Sequence, residues 1–264
     1  MLNPKLPSQA EIEDHMMTHL PYRNWCEHCV KGRGRQMDHR RKQQESEMIE
    51  FHMDFCFPGG ELDAKTQTIL VMRERTTRMT MASAVPSKST GTFIAKRGVA
   101  FMKEVGSQYG TVILKSDQEP AIKAVVEEMC RVRAADGEVK TEVVQISVTR
   151  NMTTRSVVEA SPVGSSGSNG VVERAVQSVE QQMRVMRNAL EKRCDVKIEA
   201  NSCIWSWMAE YAAVLLNRME IGHDGKTAYE RLKGKKANHH GFEFGEKVLW
   251  RRKAAGGALG KLTC

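Results

Sequence analysis

Between residues 48 and 85 apolar positions crowd into three short runs, and from residue 91 they recur every three or four positions. The short runs at 48–57, 68–74 and 79–85 are rich in branched or apolar residues and predict three strands, with Gly59-Gly60 turning the chain after the first. From 91 to 109, Ile94, Gly98, Phe101, Met102, Val105 and Tyr109 fall on one helical face. A fourth strand is expected at 111–116, followed by a helix with Ile122, Val125, Val126, Met129 and Cys130 on one side. A fifth strand is expected at 142–148. Residues 149–168 are rich in Ser, Thr and Gly without a period, which predicts a loop. A long helix follows from 170 to about 193, with Val172, Val176, Val179, Met183, Met186 and Leu190 as its stripe and Asn169 as its N-cap. A further helix over about 202–219 bears Trp205, Trp207, Tyr211 and Leu215. Ahead of residue 48 the chain is polar and irregular apart from a helix at Glu11–His19, and no segment repeats.

Three strands, then helix–strand–helix–strand, then a long helix, is the element order of an α/β, ribonuclease-H-like fold: a mixed five-stranded sheet flanked by helices. In that order the first strand lies beside the fourth. Asp54, mid-strand, and Asp117, ending an apolar run, can then meet at one sheet edge, with the long helix bringing Glu173 across the cleft. Three acids so placed suit phosphodiester chemistry, in which two divalent cations about 3.5–4 Å apart activate a nucleophile and stabilise a leaving oxygen. Mg²⁺ or Mn²⁺ takes such oxygen ligands. Any one of the chain's 32 acids alone would read as an ordinary surface residue; an Asp within an apolar strand is less common.

Charge refines the picture only when located. The net +8 is made of −2 over residues 1–30, +5 over 31–42, −2 over 43–225 and +7 over 226–264, so the basicity belongs to two flanks of a near-neutral centre. Basic flanks beside a folded core suit a polyanion such as DNA, through release of counterions; solvated tails are the plainer alternative. The run Lys31, Arg33, Arg35, Arg40, Arg41 and Lys42 reads as a linker tracking phosphates, as a nuclear-import signal, or as a solvated linker. Lys115, two residues before Asp117, is placed to touch a DNA phosphate. Sixteen methionines read as adaptable core filler or, alternatively, as a binding groove. No apolar run reaches membrane-spanning length and no signal-like segment opens the chain, so a membrane partner is not expected.

Seven cysteines, only Cys26 and Cys29 at motif spacing, argue for a reducing, intracellular setting, nuclear or cytoplasmic. His15 and His19 lie one helical turn apart, and Cys26-x2-Cys29 follows after six intervening residues. Two His and two Cys can close a tetrahedral Zn²⁺ site. His28 is an alternative ligand, and an unliganded thiol pair the alternative reading.

The strings FHMDF (51–55), LKSDQEPA (114–121), ASPVGSSGSNGVVERAVQSVE (160–180), WSWMAEYAAVLLNR (205–218), GKTAYERLKGKK (225–236) and FGEKVLW (244–250) occur in an order that resembles the integrases of copia-type long-terminal-repeat retrotransposons. The resemblance is continuous from about 49 to 250, and SNGVVER is its most specific piece. It implies that Asp54, Asp117 and Glu173 bind two Mg²⁺ or Mn²⁺ ions, with Asn169 near the DNA end. The implied reactions are trimming of DNA 3′ ends and joining of element DNA to target DNA, by at least a dimer. It also implies a His/His–Cys/Cys zinc module ahead of the core. Two spacings depart from that family: the stretch from His19 to Cys26 is shorter, and that from Asp117 to Glu173 longer.

The implied organisation is a zinc knuckle over 1–30, a basic linker over 31–47, a catalytic core over 48–221 and a basic tail over 222–264. Phe244–Trp250 resembles the opening strand of the small barrel that follows integrase cores, and the fourteen residues after Trp250 are too few to close one. That shortfall reads as a truncated copy or a piece of a polyprotein. A non-catalytic nucleic-acid-binding relative is the rival reading, and a nuclease acting on RNA–DNA hybrids a third.

Overall fold

Strand β1 (Ile49–Cys56) sorts its side chains by the pleat. Phe51, Met53 and Phe55 enter one hydrophobic cluster and Cys56 another, so His52 and Asp54 share the face of Cys56. The structure is a computed structural model and describes residues 7–33, 48–57, 67–85, 92–138, 154–160, 170–199, 202–238 and 241–248. After β1 come β2 (Thr68–Glu74), β3 (Thr80–Val85), α3 (Thr92–Glu104), β4 (Thr111–Ser116), α4 (Pro120–Glu138), β5 (Arg155–Ala160), α5 (Gly170–Cys194), α6 (Ile204–Met219) and α7 (Ala228–Lys233). Two helices precede them, α1 (Gln9–Thr18) and α2 (Glu27–Arg33).

The five strands form one sheet in the order β3-β2-β1-β4-β5. β1–β2 and β2–β3 are antiparallel, whereas β4 runs parallel to both β1 and β5. This is the ribonuclease-H-like arrangement. Helices cover both faces. α3 and α4 pack Ile94, Val99, Met102, Ile122 and Met129 against Phe51, Leu70 and Leu114. On the opposite face α5 and α6 pack Val179, Met183, Met208, Ala212 and Leu216 against Ile69, Val71 and Ala82. Burial on both sides accounts for the unbroken apolar run of β2. Each fully buried side chain of this size contributes about 1.5–3 kcal/mol. At Gly98 the α3–α4 approach is so close that a Cβ would stand 2.7 Å from the Met129 methyl.

The edges are held by side chains. Asn217 on α6 accepts a hydrogen bond from the Thr80 amide (2.8 Å) and donates to the Thr80 carbonyl (2.7 Å), satisfying backbone on edge strand β3. On the other side Arg133 of α4, 2% exposed, donates to the carbonyls of Gly110 (2.8 Å), Arg155 (2.9 Å) and Ser107 (3.2 Å) and to the Ser156 hydroxyl (3.0 Å). It ties α4 to the start of the β4–β5 pair.

Several expectations shift. β5 lies at Arg155–Ala160, inside the segment read as loop, paired with β4 from Thr111↔Arg155 to Ser116↔Ala160. As a partly exposed edge strand it tolerates Arg, Ser and Glu, and that polarity hides it. The strand expected at 142–148 falls outside the described residues. α3 stops at Glu104 because Gly106 takes a left-handed φ of 87°, so Tyr109 lies beyond the helix. On α6 the buried stripe is Trp205, Met208, Ala212, Leu215 and Leu216, while Trp207 is 52% exposed and lies against Phe244, ring centroids 4.4 Å apart. Phe244 begins no strand among the described residues; it is buried in the α5–α6 cluster, and its carbonyl accepts from Arg193 at 2.6 Å.

The amino-terminal segment is docked on α5. Leu20 joins the α5–α6 cluster, Gln182 donates to the Thr18 carbonyl at 2.9 Å, and Lys192 pairs with Glu27 at 2.8 Å. A Cβ at Gly32 would stand 2.3 Å from the Val185 side chain, so glycine permits α2 to lie against α5. α2 itself was not expected, and it runs through Lys31 into the stretch read as linker. Among the described residues no helix is long and apolar enough to cross a membrane.

Candidate active site and metal centre

Register places the first two acids. β1 and β4 pair in parallel from Ile49↔Val112 to His52↔Lys115, and two residues further along both chains Asp54 comes level with Asp117. Asp54 points to the α5 face, and α5 packs on β1 with Glu173 in its first turn. The helix N-terminus favours a carboxylate there. The Phe55 amide donates to Asp54 Oδ1 at 2.8 Å, and the Glu119 amide to Asp117 Oδ1 at 3.1 Å. Pro120 then opens α4, with fixed φ and no amide hydrogen to satisfy.

The environment of Asp54 alters its acidity. Burial pushes the Asp54 carboxyl up from 3.8 to about 6, and the charges of Asp117, Glu119 and Glu173 push the same way against the Phe55 amide. Glu119 was not among the expected site residues; its place two residues after Asp117 was the available signal.

Next to Asp54 along β1 lies a second polar group. Glu50, 3% exposed, pairs with Arg75 (2.8 Å), Lys115 (3.2 Å) and His52 (3.3 Å), and Lys115 also pairs with Glu159 of β5 (3.1 Å). Lys115, expected at a DNA phosphate, is thus engaged across three strands with its side chain 21% exposed. Burial lowers the pKa of His52.

The amino-terminal donors also converge. The ligand atoms of His15, His19, Cys26 and Cys29 all lie within 4.8 Å of one another, and all four residues are buried. Cys29 Sγ is 3.3 Å from His15 Nε2, and Cys26 Sγ is 3.5 Å from His19 Nδ1. The hydrogen bond from Cys29 holds the Cys26 thiol far below its usual range, while burial lowers His19. Among the described residues this is the group of three or more His, Cys, Asp or Glu gathered so tightly; the three acids stand further apart and interact through space. His28, the alternative ligand, instead contacts the Asn188 side chain through Nδ1. His19 reaches the cluster from a left-handed C-cap position, φ 54°.

Of the basic run, Lys31 pairs with Glu27 at 2.6 Å on α2, and Arg33 ends that helix. Arg35, Arg40, Arg41 and Lys42 lie outside the described residues, as does Asn169.

No family model and no curated protein matches the chain. Solved structures do resemble it. The catalytic core domain of BIV integrase is 19% identical, with a TM-score of 0.40, over 69% of this chain and 92% of that one. The catalytic core domain of HTLV-2 integrase, solved in complex with magnesium in a trimeric form, is 11% identical, with a TM-score of 0.42, over 69% and 95%. Likeness at this level leaves the chemistry to be read from this chain's own side chains.

Proposed function

We propose that the chain is a metal-dependent polynucleotidyl transferase of the integrase type, acting on DNA. The observation that carries this reading is the parallel register of β1 and β4, which carries Asp54 level with Asp117 on strands against which the helix bearing Glu173 in its first turn is packed. Asp54, Asp117 and Glu173 would hold two Mg²⁺ or Mn²⁺ ions, which when bound supply Lewis-acid stabilisation of the attacking and leaving oxygens. The residues fit such a group, because burial and mutual repulsion leave Asp54 reluctant to ionise without a cation. The chain's own part is positional: β1 and β4 fix two carboxylates level with each other, and the α5 terminus presents the third.

His15, His19, Cys26 and Cys29 would hold a structural Zn²⁺, and their donor chemistry fits it. Closing that centre fixes α1 and α2 on α5, the helix that carries Glu173. The resemblance to copia-type retrotransposon integrases supports 3′-end processing and joining of element DNA to target DNA, a homo-oligomer of at least two chains, and a nuclear or cytoplasmic setting. It also supports placing Asn169 and the basic stretch that includes Arg35, Arg40, Arg41 and Lys42 on DNA. The domain limits at 30, 47 and 221 belong to the same reading.

A strand-transfer assay on a short duplex carrying the element's end tests it. Asp54→Asn is expected to abolish Mg²⁺-dependent joining while duplex binding in EDTA persists. Joining by Asp54→Asn would refute the assignment, and cleavage of RNA–DNA hybrids without joining would favour a nuclease of the same fold.

A further inference from the structure

Lys115 stands among four carboxylates and pairs with two of them. On β4 it lies opposite His52 of β1 and Glu159 of β5. Glu50 and Asp54 flank His52 at two residues on either side, and the pleat puts all three on one face of β1. Asp117 follows two residues after Lys115 on its own chain. Adjacent strands are about 4.8 Å apart and two residues of strand span about 6.6 Å, so all four acids are within reach of a four-carbon lysine stem.

The ammonium goes to the two acids outside the proposed metal site. Lys115 Nζ is 3.2 Å from Glu50 Oε2 and 3.1 Å from Glu159 Oε2, and among the described residues it forms no ion pair with Asp54 or Asp117. Glu50 is itself anchored. Its carboxylate accepts from Arg75 Nη1 at 2.8 Å and faces His52 Nε2 at 3.3 Å, and its carbonyl accepts from the Arg75 amide at 2.9 Å. Glu159 holds the ammonium from the other side, on edge strand β5. An ammonium seated on Asp54 or Asp117 would favour the ionised carboxylate just as a divalent cation does, and the two would compete for the same oxygens.

We infer that Glu50 and Glu159 are positioning residues of the carboxylate site: together they hold the Lys115 ammonium away from Asp54 and Asp117 and leave that pair to a divalent cation. This rests on the metal-site reading and adds how the chain keeps its own cation off the acids. Two carboxylates at once attract Lys115 more than one does, and Glu50, being buried, is less screened by solvent than an exposed acid.

The test is Mn²⁺ binding to the full chain, followed by the electron paramagnetic resonance of the free ion, with Asp54→Asn as the blank. Glu50→Gln keeps the side chain's shape and should weaken Mn²⁺ binding at the three acids about tenfold. Glu159→Gln should weaken it about two- to fivefold. Lys115→Met should bind Mn²⁺ at least as tightly as the parent. In the Lys115→Met background both Glu substitutions should lose their effect, because no ammonium is left to release. Damage to the fold, or the mere loss of a nearby negative charge, would instead carry over into that background unchanged. Equal losses with and without Lys115 therefore overturn the inference, and so does parental affinity in Glu159→Gln. Should Glu50→Gln fail to fold, Glu159→Gln carries the same comparison, since its side chain lies at the sheet edge and is 47% exposed. A parent that takes up no Mn²⁺ at the three acids removes the metal-site reading and the inference with it. Uptake with equal losses in both backgrounds removes the inference alone.

Discussion

Replacing Asp54 by Asn should make the protein more stable while destroying its proposed site. Burial and the nearby acids raise the Asp54 pKa from 3.8 to about 6. A raised folded-state pKa means that protonated Asp54 carries no penalty below 3.8, and that stability is lost as pH rises through about 6. At about 1.36 kcal/mol per pH unit the shift is at most about 3 kcal/mol, and solvent screening of this partly exposed carboxyl reduces it to about 1 kcal/mol. In EDTA at pH 8, Asp54→Asn should melt about 2–4 °C above the parent, with the gap closing as pH falls towards 4. Added Mg²⁺ should raise the parent's Tm and leave the variant's unchanged. Equal or lower stability of Asp54→Asn at pH 8 would refute the burial penalty on the Asp54 carboxylate.

Other consequences follow from the packing. Cys29→Ser should lower the bound zinc measured by elemental analysis from about one ion per chain towards none, and should expose α1 and α2 to proteolysis. Gly32→Val should lift α2 from Val185 and destabilise by about 1–3 kcal/mol, read from urea denaturation, with increased amide exchange along α5. Arg133→Met leaves the carbonyls of Gly110, Ser107 and Arg155 without their donor, and should cost about 2–3 kcal/mol in the same assay.

How much could be read in advance depended on whether a residue's role is local. β1, β2, β3 and β4 announce themselves by apolar runs because helices bury both faces of the sheet, and the Asp54–Asp117 pairing followed from the element order. The His15, His19, Cys26 and Cys29 cluster was likewise legible, since a helical turn and a two-residue gap set each pair. β5 was not, because an edge strand gains its order from pairing with β4 rather than from its own composition. α2 is short and polar and is defined by docking on α5. Arg133, Arg73 and Asn217 look like surface residues in sequence. Only the tertiary fold brings backbone carbonyls to Arg133, buries Arg73 of β2 beside the Thr80 hydroxyl and sets Asn217 against the Thr80 peptide.

Crystals of the full chain soaked in Mn²⁺ test the carboxylate site most directly. Two anomalous peaks about 3.5–4 Å apart, bridged by Asp54 and completed by Asp117 and Glu173, are the expected result. Saturating Mn²⁺ with no peak at these three side chains would contradict it.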